Sequence, residues 1–349
     1  MPSQFYHLVV FSISAVVVLL STPIVRKIGM NSGRVDLPGG RKVHERPMVR
    51  LGGVSIFLGV LIALLTAWAI GGFGILPPQK EYEIWGVTIG GLLFFLIGLA
   101  DDLFNLSPLT RLALQMLVAG CAWSVGVQIA FIDIPFVGIT QLPEVLSCLL
   151  TIIWLVGMAN AINWIDGLDG LAAGVCGIAA LVMLIVSLFM NQPAAALIVA
   201  ALAGGAFGFL RYNFNPAQIF MGDGGAYFMG FTLAGVGVIG LLKGVTTVAV
   251  LLPVLILAVP IFDMSAVIID RLRSGQSPFI ADKRHLHHRL LQAGLSHRST
   301  VLFIYALTIW VGTLALAIAR IPSGVIYASA ATALLGYSCW RVRRLSTRG

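Results

Sequence analysis

Five aspartates and two asparagines of this chain stand where long apolar runs end. Asp101 and Asp102 close one run, Asn160, Asn163, Asp166 and Asp169 fall in NAINWIDGLDG (160–170), and Asp223 lies in MGDGG. A charge at bilayer depth costs at least ~2.5 kcal/mol on insertion scales, so such residues are functional candidates by default. Adjacent carboxylates such as Asp101 and Asp102 repel each other unless a cation or basic partner neutralises them, which points to metal or proton handling. The short carboxylates and amides offer hard oxygen ligands suited to Mg²⁺, with Mn²⁺ as the alternative ion. Gly167 and Gly170 allow a sharp turn, and a helix starting near Leu171 presents free N–H groups to an anion. Asp223 between glycines can approach a metal closely, while Asn213 and Phe220 just before it can hydrogen-bond and stack on a base. The bland alternatives are a solvated turn at Asp101–Asp102, an acidic loop at 160–170 and plain packing by Phe220.

Two basic segments have the opposite character. SPFIADKRHLHHR (277–289) sets His285, His287 and His288 among Lys283, Arg284 and Arg289. Three histidines can ligate zinc, but cationic company disfavours a cation and favours phosphate, so the segment reads as a phosphate clamp with a proton donor. GGRKVHERP (39–47), with Lys42, His44 and the nearby Arg50, is a weaker candidate for phosphate or lipid-head contact, because a basic loop beside a membrane span is expected on topology alone. Asp263 and Asp270 read as structural partners of Arg271 or Arg273, outside the site.

The elements that must position these groups are apolar helices. Of 349 residues 58% are hydrophobic and 10% charged, and mean hydropathy is +0.97. That composition excludes an ordinary soluble domain, and continuous apolar runs exclude the alternating pattern of a β-barrel. An all-α, polytopic integral membrane protein is expected, with one membrane-embedded domain over 1–349 and eleven transmembrane helices at about 5–25, 51–71, 84–100, 109–130, 145–162, 171–190, 194–211, 225–242, 246–269, 299–319 and 324–340. The first run has no basic residue before it and Arg26 and Lys27 after it, the reverse of a cleaved signal peptide. An outside N-terminus and cytoplasmic C-terminus leave only Lys80, Lys243 and Arg320 outside and gather 19 of the 22 Lys and Arg on the inner face, as the positive-inside rule requires. All the aspartates of the proposed site then fall on that face, on a cationic surface suited to lipid heads or nucleotide phosphates. Ser107 and Pro108 fit an N-cap and first helical position, and 131–143 fits a small outer hairpin. Cys121, Cys148, Cys176 and Cys339 have no paired spacing and read as core residues.

Taken together and in order, these segments resemble the polyprenyl-phosphate N-acetylhexosamine-1-phosphate transferase family, glycosyltransferase family 4, to which phospho-MurNAc-pentapeptide translocase is related. The resemblance runs from the RKVH loop to the HLHH loop. The HLHH form and RKVHERPMVRLGG look like the N-acetylglucosamine-1-phosphate branch. It implies that Asp101 and Asp102 position or deprotonate the lipid phosphate, that Asn163 and Asp223 serve the magnesium site, that Asp166, Asp169, Asn213 and Phe220 serve the nucleotide, and that His285, His287 and His288 face the pyrophosphate. Asn105 departs from the family, where many relatives carry an acid, and Asn160 is left without a role.

The expected function is transfer of N-acetylglucosamine 1-phosphate from UDP-N-acetylglucosamine to undecaprenyl phosphate, releasing UMP, as the first membrane step of a cell-surface glycan such as O-antigen or a teichoic-acid linkage unit. The partners are a UDP-sugar, polyprenyl phosphate and membrane lipids, with no nucleic acid and with a homodimer left open. Alternatives within the class are another UDP-sugar, UDP-MurNAc-pentapeptide, or a phospho-enzyme at Asp101 or Asp102. From another class, an ion-coupled transporter would place its acids near the midplane within internal repeats, and neither feature is evident here.

Overall fold

The computed structural model describes residues 3–33, 35–36, 47–73, 76, 78–134, 138–241, 247–275 and 284–346. Lys42 and His44 lie outside them. Among the described residues the fold is all-α apart from two short hairpins. In order come α1 (Ser3–Asn31), β1 (Val35–Asp36), β2 (Met48–Val49), α2 (Gly52–Ala69), α3 (Pro78–Phe104), α4 (Pro108–Ser124), β3 (Phe131–Ile134), β4 (Gly138–Gln141), α5 (Glu144–Ile165) and α6 (Leu171–Phe189). There follow α7 (Pro193–Asn213), α8 (Gly222–Val236) running into a π-helical turn (Gly237–Leu241), α9 (Thr247–Ile256), α10 (Ala258–Arg273), α11 (Leu286–Gln292), α12 (His297–Ile318) and α13 (Gly324–Ser346). The expected outer hairpin is β3 paired antiparallel with β4; the β1–β2 pair was not anticipated.

A helix forms at each of the eleven expected spans, but they are not alike. Among the described residues seven helices are long and apolar enough to cross a membrane: Tyr6–Asn31, Gly52–Ala69, Lys80–Phe104, Glu144–Ile165, Leu171–Phe189, Pro193–Asn213 and His297–Ile318. The expected ninth span is broken at Leu257 into α9 and α10. Pro260 accounts for the break, because its ring clashes with the carbonyl four residues back and it has no N–H to give.

The most apolar window of α7 is 83% buried against 28% for α1, so α7 is a central post and α1 an outer one. Its run of Ala and Gly lets neighbouring backbones come close, as small residues do in membrane interiors. Helices α1, α2 and α6 pack on α7, and α3 and α5 pack on α8. Every residue of α8 except Asp223 is buried. Small residues set these contacts: a Cβ at Gly98 of α3 would lie 2.4 Å from the Asp223 carbonyl oxygen, and one at Gly53 of α2 would lie 2.3 Å from the Gly225 nitrogen. Trp154 of α5 donates its indole N–H to the Ala234 carbonyl at 3.0 Å. The ends of α3 and α5 and the start of α8 are thereby fixed together, and these are the segments that carry the carboxylates.

Candidate active site

Helix α3 ends on Asp101 and Asp102 and is stopped by Asn105, which adopts a left-handed conformation (φ 53°) and donates its N–H to the Asp101 carbonyl at 2.8 Å. Asn is one of the few residues other than Gly that visit that conformation, so Asn105 serves the helix end. Ser107 then caps α4 by accepting the Thr110 N–H at 3.1 Å, with Pro108 in the first turn, as expected. The cap orients α4 so that Arg111 reaches back to Asp101 Oδ2 in a very short ion pair, and lies 3.7 Å from Asp223 Oδ2.

Asp223 enters from the first turn of α8. Gly222 before it has φ 76°, and a Cβ there would lie 2.1 Å from the Arg50 carbonyl and 2.6 Å from Asp102 Oδ2, so only glycine fits. Asn163 on the last turn of α5 donates to Asp223 Oδ1 at 2.8 Å, and Arg50 Nη2 approaches the same oxygen at 3.5 Å. Asp102 Oδ2 accepts the Gly224 N–H at 3.1 Å; its Oδ1 is buried, makes no hydrogen bond and has Arg50 Nε at 3.8 Å. Asp101, Asp102, Asn163 and Asp223 are thus one cluster from three helices, neutralised by Arg50 and Arg111. Arg50 is held above its usual pKa: burial works against its charge, but Asp223 and Asp102 outweigh it.

The loop 166–170 forms the next wall. Asp169 Oδ2 accepts from Asn215 Nδ2 and the Ala217 N–H, both at 3.0 Å, and so ties this loop to the segment leading to α8. Burial pushes the Asp166 carboxyl up to about 7; Arg50 pulls it down, while Asp223, Asp102 and Asp169 add to the rise. Gly170 is left-handed (φ 80°) and gripped from both sides: its N–H goes to Asn213 Oδ1 at 3.1 Å, and its carbonyl accepts a very short bond from Tyr305 Oη. Asn213 is buried and its Nδ2 donates to the Ile219 carbonyl at 3.0 Å. Both ends of that amide therefore organise the loop, and a base contact by Asn213 requires rearrangement. Phe220 is half-buried, with its backbone zipped to Val49 and Gly52 at 2.9 Å each, which carries Arg50 into the site.

The histidine segment packs from the other side. His285 Nδ1 meets Asp263 Oδ2 at 2.8 Å, and Asp263 Oδ1 accepts the Leu286 N–H at 2.7 Å, anchoring the start of α11. Asp263 is therefore not a partner of Arg271 or Arg273, as the sequence suggested, but the anchor of His285. Asp270 likewise pairs with Arg289 at 3.4 Å and Arg284 at 3.8 Å, so Arg289 is engaged at the surface. The His285 and His287 rings stack at 5.6 Å, and His288 lies 4.3 Å from His287. His287 is buried with Nε2 against Gly167, and that nitrogen makes no hydrogen bond. Burial, with His288 and His285 beside it, pushes its pKa down to about 3 against the pull of Asp263.

Among the described residues no three or more His, Cys, Asp or Glu converge as a complete metal cage. The Asn163–Asp223 pair instead fits an ion that takes one or two ligands from protein and the rest from substrate phosphate and water, the habit of Mg²⁺. Asn160 donates to Gln115 Oε1 at 2.7 Å and to the Val156 carbonyl at 2.8 Å; it bolts α5 to α4 and does not belong to the cluster.

Residues 84–242, which hold this carboxylate cluster, match the family described as glycosyl transferase family 4. A Bacillus subtilis protein named "Probable undecaprenyl-phosphate N-acetylglucosaminyl 1-phosphate transferase" is 39% identical over 299 residues, covering 85% of this chain and 80% of its own. The chain belongs to glycosyl transferase family 4. The Mycolicibacterium smegmatis family member named decaprenyl-phosphate N-acetylglucosaminephosphotransferase is 36% identical over 328 residues (86% of this chain, 79% of its own), and the Yersinia pestis undecaprenyl-phosphate alpha-N-acetylglucosaminyl 1-phosphate transferase is 28% identical over 339 (93% and 90%). The N-acetylglucosamine-1-phosphate branch expected from the HLHH and RKVH forms is the branch of these relatives. Within this family member, sequence reasoning gave Arg50 only a weak phosphate-contact role, placed Asp263 outside the site and assigned Arg111 no role, yet each touches a site residue directly.

Proposed function

We propose that this protein transfers N-acetylglucosamine 1-phosphate from UDP-N-acetylglucosamine to undecaprenyl phosphate, giving the lipid diphosphate sugar and UMP. The observation that carries the proposal is the convergence of Asp101, Asp102, Asn163 and Asp223 with Arg50 and Arg111 at adjoining helix ends, in a relative of enzymes named for that transfer. One substrate is anchored in the membrane and the other is soluble, and a cluster at helix ends can meet both. The finer reading has eleven membrane crossings, an outside N-terminus, and a site on the cytoplasmic face of a bacterial inner membrane, with the product feeding a cell-surface glycan.

The roles follow from what each side chain already holds. Asp101 Oδ2 is paired with Arg111 and orients it, whereas Asp102 Oδ1 makes no hydrogen bond, making Asp102 the better acceptor for a proton from the lipid phosphate. Arg50 and Arg111 supply fixed positive charge near the phosphates, the main need in phosphoryl transfer. Mg²⁺, held by Asp223 with Asn163 beside it, would neutralise charge on the departing UMP phosphate. Asp166 and Asp169 with the Phe220 segment form the nucleotide side, and Asp263 fixes His285 toward the pyrophosphate.

The test is purified protein with Mg²⁺ and UDP-N-acetylglucosamine. UMP should appear only when polyprenyl phosphate is added, and less readily from other UDP-sugars. Chelation should stop it, and Asp223→Ala at wild-type activity would sink the metal assignment. Exchange of labelled UMP into the sugar nucleotide without lipid would favour a phospho-enzyme instead.

A further inference from the structure

The inner end of α1 borders a cavity of about 280 Å³ that the transfer chemistry does not use. Its walls are Thr22, Pro23, Arg26, Lys27 and Met30 of α1 and, across from them, Tyr212 and Gln218. Among the described residues neither Arg26 nor Lys27 has a carboxylate within ion-pair distance, in contrast to Arg50 and Arg111. Two cationic side chains on adjoining positions of a helix, without a protein counter-ion, are a site for a ligand's negative charge.

The surroundings say which anion. Leu20, Ile24 and Ile28, spaced by four along α1, are 60–68% exposed and form an apolar stripe that adjoins Lys27, which lies seven residues after Leu20 and three after Ile24. A free phosphate gains nothing from such a stripe; a lipid with acyl chains does. The pocket also has a fixed shape. Pro23 has no N–H for the Leu19 carbonyl, and Tyr212 Oη donates to that carbonyl at 3.0 Å, pinning α1 to the end of α7. The Tyr212 carbonyl in turn accepts the Gln218 N–H at 2.8 Å, two residues before Phe220.

We propose that this cavity binds the phosphate headgroup of an anionic phospholipid of the surrounding leaflet, with Arg26 and Lys27 on the phosphate and the acyl chains along Leu20, Ile24 and Ile28. The bound lipid bridges α1 to the segment that carries Gln218 and Phe220. The proposal requires α1 to end in a lipid leaflet and does not depend on the transfer reaction, so its test reads lipid and not turnover.

The experiment is native mass spectrometry of the full chain released from mixed phosphatidylcholine and phosphatidylglycerol vesicles, titrating phosphatidylglycerol. Wild type should retain phosphatidylglycerol preferentially, and Arg26→Gln with Lys27→Gln should weaken retention on the order of twentyfold, taking each basic side chain at a surface as about fivefold. Arg26→Lys with Lys27→Arg should keep it. Met30→Trp, which fills the pocket but leaves both charges, should weaken retention as well; this variant decides the question should the double glutamine variant not fold. Undiminished retention in Met30→Trp would overturn the proposal in favour of diffuse surface attraction. Displacement of phosphatidylglycerol by inorganic phosphate as effective as that by added phosphatidylglycerol would overturn it in favour of a free-phosphate site.

Discussion

Arg50 stands between Asp102 and Asp223, and its removal leaves two neighbouring carboxylates facing each other with only Arg111 nearby. Arg50→Gln should lower kcat about a hundredfold, the scale for losing one preorganised charge or donor, with protein yield little changed because the side chain is half exposed. Steady-state UMP release checks it. Asp263→Asn acts one step away: the Leu286 N–H keeps an oxygen acceptor, but His285 loses its anionic partner. A hundredfold loss in kcat/KM is expected from a misplaced group, and it should come with a shifted pH–rate profile that a merely loosened fold would not give. For His287 the sign is set by a folded pKa of about 3 against about 6.5 unfolded. The unfolded chain binds more protons between those values, so the neutral ring's contribution is complete above about pH 6.5 and is lost as pH falls toward 3. Thermal unfolding of wild type and His287→Gln should therefore differ most near neutrality and converge toward pH 4; a gap that widens in acid would contradict the burial. These neighbours explain what the sequence could and could not reveal. Asp101, Asp102, Asn163 and Asp223 were legible because polar atoms at the end of an apolar run are costly without a purpose. Arg111 was not, and Arg50 only weakly, because topology alone accounts for basic residues at inner helix ends. Asp263 was hidden because its partner His285 lies 22 residues further along the chain, at the start of another helix.

At the scale of elements, the site depends on how closely α3, α5 and α8 approach, and glycines set that distance. The Cβ of Gly98→Ala would meet the Asp223 carbonyl at 2.4 Å, a backbone atom that cannot swing aside. The expected cost is about 1–3 kcal/mol from overpacking, with a lower unfolding temperature and a larger loss of activity than of stability, because the displaced atoms belong to the candidate metal ligand. Gly120→Ala is the control: only an Ile152 methyl at 3.9 Å is near, so both readouts should stay at wild type. The sequence located a helix at every expected span, since continuous apolar runs have few other solutions in a membrane. It also anticipated the cap at Ser107 and the hairpin at 131–141. It did not reveal that α9 and α10 are separate, because a proline within an apolar run leaves hydropathy unchanged while removing a backbone bond. Nor did it reveal the β1–β2 pair, whose two-residue strands are too short for any periodic signal.

For the whole molecule, the distribution of charge is the strongest constraint on orientation. With 19 of 22 Lys and Arg on one side, the expected topology would put the carboxylate cluster, the histidine segment and the Arg26–Lys27 pocket on the cytoplasmic face and the β3–β4 hairpin on the other. Two exposed positions report opposite faces: Gln141 at the end of β4, and Arg273 at the end of α10. In a background with Cys121, Cys148 and Cys339 replaced by Ala, Gln141→Cys should react with a membrane-impermeant maleimide in intact spheroplasts. Arg273→Cys should react only after permeabilisation, and Cys176, which is fully buried, should stay silent in both. The reverse pattern would turn the cluster away from the cytosolic nucleotide sugar. The proposed transfer would then lack its soluble substrate, however well the carboxylates and arginines are arranged.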